Sequence, residues 1–172
     1  MTLRQILSQR LHEDDICELC NWSQGQRNDH HKAKLYQLMM DEDKRISDNA
    51  AWVFTHFTSF DAAWLYGKHD ELMDEVMKTT SETKRRLLLN LLLGQRFTKE
   101  NMRTDFLDFC LERLTDAHEP VGVKAQCMKL AYQQCKPFPE LLQELRYTLE
   151  MLEPEVHSAG MKSAMRKIKQ RL

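Results

Sequence analysis

The feature that most limits how this chain can fold is a helix written twice. Val121–Leu130 reads VGVKAQCMKL, and Ala159–Ile168 reads AGMKSAMRKI, so that Gly122, Lys124 and Lys129 are answered by Gly160, Lys162 and Lys167. Two fainter copies precede them, ISDNAAWVFT and TKRRLLLNLL. Asn49, Arg86, Lys124 and Lys162 mark the register of the four copies, and the intervals between them are equal to within one position. Trp52, Leu89, Cys127 and Met165 share one place in the copies, and Thr55, Leu92, Leu130 and Ile168 share the place at i+3. That spacing follows one face of a helix.

A second element repeats with the first. LDFCLERL (Leu107–Leu114) returns at the same interval as LRYTLEML (Leu145–Leu152), and ELMDEVMK is a looser, earlier version. Leu107, Cys110, Leu111 and Leu114 form a stripe at i, i+3, i+4, i+7, the pattern of a helix buried on one side. In the early copy Leu72, Met73, Val76 and Met77 take that place. Each unit is therefore a pair of helices. A single pair cannot bury its own apolar face, so the copies must stack on one another.

The punctuation predicts a helix near 3–10, then helices near 14–23, 26–40, 43–57, 61–78, 81–94, 98–115, 119–135, 138–152 and 155–171. Pro120 and Pro154 fall where first helices should begin, a position that tolerates a missing N–H. Thr79 with Glu82 has capping-box spacing. The run Lys136–Pro139 ends one helix and starts another, and Gly94 suits a left-handed helix end. Gly122 and Gly160 sit in equivalent first turns, where they either soften the helix start or admit a close neighbour. No strand-like alternation of useful length occurs.

Bulk properties narrow the function classes. The 172 residues are 42% hydrophobic and 30% charged, which fits a packed soluble chain rather than a disordered one. The net charge of -1 offers no overall basic excess for nucleic acid. The N-terminal MTLRQILSQRLHEDDIC lacks the apolar core of a secretory signal. The apolar runs are short, as in the two LLL stretches separated by Asn90, so no membrane span is expected. Five cysteines without framework spacing are expected as reduced thiols of a cytoplasmic protein.

Chemistry-bearing motifs are few. Cys17-Glu-Leu-Cys20 with His30-His31 has irregular spacing for zinc, and Cys17 and Cys20 read better as small buried residues beside Ile16, Leu19 and Trp22. His56 and His69 have no carboxylate or nucleophile at a useful spacing and read as surface or cap residues. No phosphate loop, serine elbow or zincin motif occurs. Neither cofactor nor metal is expected, and the chain is not expected to be an enzyme. Trp52 reads as packing, while Trp64, in FDAAWLY, packs in the core or reaches a binding groove. The basic C-terminal run MKSAMRKIKQRL reads as an end cap, its stripe of Met161, Ala164, Met165, Ile168 and Leu172 turned inward.

A period near 40, paired helices and small-residue-rich first helices such as DNAAWVF and VGVKAQC resemble the HEAT and armadillo repeats, from about Asp41 to the end. Tetratricopeptide repeats have a period of about 34 and a tryptophan–tyrosine pattern that is absent here. The resemblance implies an all-α, right-handed α-α superhelix of about four to five stacked hairpins in one domain, 1–172. Its parts are a degenerate N-terminal unit (1–40), repeats at 41–78, 79–115 and 116–153, and a C-terminal capping helix (154–172). It also implies a curved scaffold without catalysis, with second helices lining the concave side.

Segments 61–78 and 138–153 each carry net charge -3, whereas 82–97 and 154–172 carry +3 and +4. With second helices inside, the resemblance implies an acidic groove suited to a basic protein or peptide. The expected contact residues are Trp64, Asp70, Glu71, Asp74, Glu75, Glu140 and Glu144. An alternative follows from fold-level likeness to helical-repeat alkylation-repair proteins: DNA binding through the basic first helices, at Lys84, Arg85, Arg86, Lys124, Lys129, Lys162, Arg166 and Lys167.

Overall fold

The structure, a computed structural model, describes residues 1–172 and is all α-helical, without a strand. It divides into two compact units, Met1–Gln95 and Arg96–Leu172. That boundary falls between helices, inside the segment expected as the second repeat.

The first unit holds seven helices: α1 (Leu3–Leu7), α2 (Glu13–Ser23), α3 (Asp29–Met39), α4 (Lys44–Thr55), α5 (Ser59–Ala62), α6 (His69–Lys78) and α7 (Glu82–Leu93). Its core is built by α4, which packs on α1, α2, α3 and α7, while α6 also packs on α7. Ile46, Ala50, Ala51, Val53 and Phe54 of α4, Leu35 and Met39 of α3, Leu72, Met73 and Val76 of α6, and Leu88, Leu89 and Leu92 of α7 are all buried. Each large apolar side chain among them contributes about 1.5–3 kcal/mol by leaving water.

The second unit holds α8 (Thr104–Thr115), α9 (Val121–Cys135), α10 (Pro139–Leu152) and α11 (Ala159–Lys169). Here α9 is the hub, packed against α8, α10 and α11. Val123, Cys127, Leu130 and Ala131 are buried on α9, and Met161, Met165 and Ile168, the counterparts of the first three, are buried on α11. The repeated stripe thus does the same packing twice. On α11 the opposite side exposes Lys162, Arg166, Lys167 and, beyond its end, Arg171.

Several local expectations are corrected. The helix expected over 61–78 is interrupted: α5 gives way to a 3-10 segment, Ala63–Lys68, before α6 begins. The helix expected at 98–115 starts at Thr104, and the one at 155–171 starts at Ala159. Pro154 lies in a 3-10 turn, Glu153–Glu155, rather than at a helix start, whereas Pro120 does directly precede α9. The α7 cap is Ser81, whose hydroxyl accepts the Lys84 N–H at 3.1 Å; Thr79 ends α6 instead. Gly94 is right-handed (φ -80°), and Gly25 is the only residue with positive φ (100°). A methyl group at Gly122 or Gly160 would meet nothing within 4 Å, so no close neighbour requires glycine there.

On α4 the buried row is Ile46, Ala50 and Val53, with Ser47, Ala51 and Phe54 beside it. Trp52 and Thr55 are half-buried, so the core position assigned to them is displaced to their neighbours Ala51, Val53 and Phe54. Trp52 instead stands edge-on to His56, with ring centroids 5.9 Å apart.

Candidate partner-binding surface

Helix α6 sorts its residues by face. Leu72, Met73 and Val76 are buried, while Asp70, Glu71 and Asp74 are exposed. Acidic residues in a first turn also complement the helix dipole, which favours Asp70 and Glu71 there. Just before α6, the 59–68 segment exposes Phe60 and Tyr66 to solvent. Trp64 is half-buried: it stacks on Phe54 (centroids 6.3 Å, planes 13° apart) and stands edge-on to Tyr36 at 5.8 Å. It thus packs within this aromatic group and keeps part of its surface in solvent.

Around Trp64 the polar groups are ordered. The Tyr36 hydroxyl donates to Glu71 at 2.7 Å, and Lys68 lies 5.1 Å over the Tyr36 ring and 5.9 Å over Trp64. Burial pushes the Tyr36 phenol well up, and the Glu71 carboxylate adds to the push. Tyr36 therefore stays a protonated donor, fixing Glu71 on the surface. Glu75 differs from its neighbours. It is half-buried and accepts from the Lys84 ammonium at 2.6 Å, where Lys84 is only 4% exposed. The outward acidic row on α6 is therefore Asp70, Glu71 and Asp74, and Glu75 belongs to the joint between α6 and α7.

The same joint changes the meaning of the basic first helices. Lys84 is buried against Glu75, and Arg85 donates to the carbonyls of Val76 (3.1 Å) and Thr79 (2.7 Å) at the end of α6. Two cations offered for phosphate contact are thus turned onto the protein itself. Part of the alternation of acidic and basic helices is internal pairing.

In the second unit, Glu140 and Glu144 are exposed on α10, with Leu145 and Leu149 buried on its other side. Tyr147 and Met151, which the sequence reading did not single out, lie exposed on the same helix. Their signal was available: counted from Glu140, the residues Glu144, Tyr147 and Met151 fall at i+4, i+7 and i+11, so one helical row contains all four.

The remaining candidates are placed as follows. Cys20 is buried but Cys17 is exposed, which corrects the expectation of two buried thiols. His31 stacks on Trp22 (3.9 Å) with its Nδ1 2.7 Å from the Trp22 carbonyl oxygen. No three His, Cys, Asp or Glu side chains converge in a group that could hold a metal ion. His56 is exposed, but His69 is buried at the start of α6 with Nδ1 bonded to Gln95, contrary to a surface placement. Cys110, Cys127 and Cys135 are all buried in the second unit. Desolvation raises the Cys110 thiol well above the ordinary value and Cys135 to about 11, so both remain protonated and pack as small apolar groups.

One buried polar cluster is built from residues that are not among the sequence candidates. Lys32, 2% exposed, donates to the Gly25 carbonyl (2.9 Å) and Asp29 (2.9 Å) and pairs with Asp61 at 3.1 Å. Asp61 also accepts from the Gly25 N–H (2.8 Å) and the Thr58 hydroxyl (3.2 Å). Together they tie the turn between α2 and α3 to the start of α5. No helix is long and apolar enough to cross a membrane.

Set against known families, residues 3–172 match the model described as a HEAT repeat domain. Comparison with curated proteins and with solved structures gave no match.

Proposed function

The chain belongs to the HEAT repeat domain family, and on that premise we propose that it is a non-catalytic interaction scaffold whose first unit docks a basic protein or peptide. HEAT repeats generally mediate protein–protein interaction. The observation that carries the reading is the division of α6: Leu72, Met73 and Val76 buried, and Asp70, Glu71 and Asp74 exposed beside Phe60 and Tyr66. Carboxylates at a surface attract cations and speed encounter, and adjoining aromatic rings supply apolar contact area. The arrangement repels a phosphate backbone, and the inward use of Lys84 and Arg85 removes two of the cations that nucleic-acid binding would need.

The test is a pull-down from native lysate, with and without nuclease, using the natural chain and a variant carrying Asp70→Lys, Glu71→Lys and Asp74→Lys. A protein partner that survives nuclease and is lost from the variant is the expected result. Its retention should also weaken as salt rises, since screening shortens to about 3 Å at 1 M. Nucleic acid that co-purifies and is released by salt overturns the proposal.

A further inference from the structure

The row Glu140, Glu144, Tyr147, Met151 on α10 has a composition that α6 lacks. These positions follow one another at i, i+4, i+7 and i+11, so they share one face over about 16 Å of helix. All four are exposed, Tyr147 at 57% and Met151 at 80%, while Leu145 and Leu149 face inward onto the core. Glu150 is exposed between Tyr147 and Met151, which leaves Arg146, half-buried, as the only base on the helix.

A large apolar pair one turn apart on an acidic helix is unusual on a surface that only meets water. Methionine adapts its shape to an apolar neighbour, and tyrosine offers a rigid ring with a polar tip; both are enriched where proteins dock. The surrounding carboxylates select the occupant. A second copy of the chain, meeting this face with its own, would bring up the same net negative charge, three carboxylates against the single base Arg146, and be repelled. An anionic lipid surface is repelled for the same reason.

We propose that the exposed face of α10 is a docking site for an amphipathic helical segment of a partner protein. Its apolar residues, at i and i+3 or i+4, cover Tyr147 and Met151. Its lysines or arginines meet Glu140, Glu144 and Glu150. The site rests on the reading of the chain as an interaction module, yet it lies on a different helix from the α6 row and stands or fails separately.

The test uses two fluorescein-labelled synthetic helical peptides, one with a leucine face flanked by lysines, the other with glutamates in place of the lysines. Each has a length of about 20 residues, above the roughly 12–15 at which an isolated helix is marginal in water. Anisotropy titration with the full chain should show binding of the lysine peptide only. Tyr147→Ala with Met151→Ala should weaken it about tenfold, the scale of losing two interface anchors. Glu140→Gln with Glu144→Gln should weaken it several-fold and flatten its salt dependence. Reversing Asp70, Glu71 and Asp74 should leave it within about twofold, which separates this site from the α6 surface. All substituted residues are exposed, and unchanged circular dichroism checks the fold. The proposal is overturned if the lysine peptide fails to bind, if the alanine pair leaves binding unchanged, or if the glutamate peptide binds equally. It is also overturned if sedimentation shows a dimer that Met151→Glu dissolves, since the occupant is then a second copy.

Discussion

Changing Asp61 to Asn leaves Lys32 buried with one carboxylate instead of two, the remaining one on Asp29 at the surface. Breaking a buried pair in this way costs about 3 kcal/mol. Its dependence on pH has a definite sign. Burial pushes the Asp61 carboxyl up, but the Gly25 N–H, the Lys32 ammonium and the Thr58 hydroxyl outweigh it and hold it below its ordinary 3.8. The pair's contribution is thus complete above that value and is lost as pH falls through the lower folded-state pKa. Lys32 acts at the other end: burial lowers it, but Asp29 and Asp61 raise it above 10.5, so its contribution is lost only in strong alkali. Thermal melts from neutral pH into strong acid should show a gap between natural chain and variant that closes in acid. A gap constant across that range counts against the pair. In KAKLY, Lys32 stands three and four positions before the buried Leu35 and Tyr36, on their stripe, whereas Lys34 lies off it and is exposed. The residue-level clue lay in Gly25, alone between two helical patterns, whose φ of 100° and ψ of 151° suit almost no other residue.

At the scale of one helix, the start of α7 separates two readings of the same few residues. Capping-box spacing pointed to Thr79 and Glu82, yet Ser81 caps the helix, and its hydroxyl also donates to Asp48 at 2.8 Å. Ser81→Ala should cost about 1–2 kcal/mol in urea unfolding, within the range for a lost N-cap. Thr79→Ala, which removes only a turn contact to the Ser81 N–H, should cost less. Equal losses would return the cap to Thr79. Helices were legible wherever the apolar stripe repeated strongly, as on α8, α9 and α11. They were misjudged where the signal was mixed: on α4, alanines and a serine share the buried face with Ile46 and Val53, so Trp52, the largest apolar residue, drew the register toward itself.

Across the whole chain, a repeat was legible because the same burial problem is solved with the same kinds of residue at α9 and α11. The acidic row of α6 was legible too, since Asp70, Glu71 and Asp74 fall opposite Leu72, Met73 and Val76. Glu75 was not separable from them, because its partner Lys84 lies in another helix and is met only on packing. Tyr147 and Met151 share a helical row with Glu140 and Glu144 in the sequence, yet apolar residues in a helix usually belong to its core, and the fold shows which face α9 covers.

The 3-10 stretch Ala63–Lys68 before α6 has a consequence for how the units are counted. Such a helix rises about 2.0 Å per residue against about 1.5 Å in an α-helix, so this stretch travels about 3 Å further and winds about a third of a turn more. The interval from Asn49 to Arg86, which contains it, is one position shorter than the intervals from Arg86 to Lys124 and from Lys124 to Lys162. A tighter coil lets a shorter length of chain cover the same ground, so the missing residue is a matter of pitch rather than of a lost contact. One alanine added after the exposed Gly67 should then relax the coil toward an ordinary helix and lower Tm by much less than one added at Leu88, in the middle of α7. Similar losses at both places would mean that the short interval has another origin.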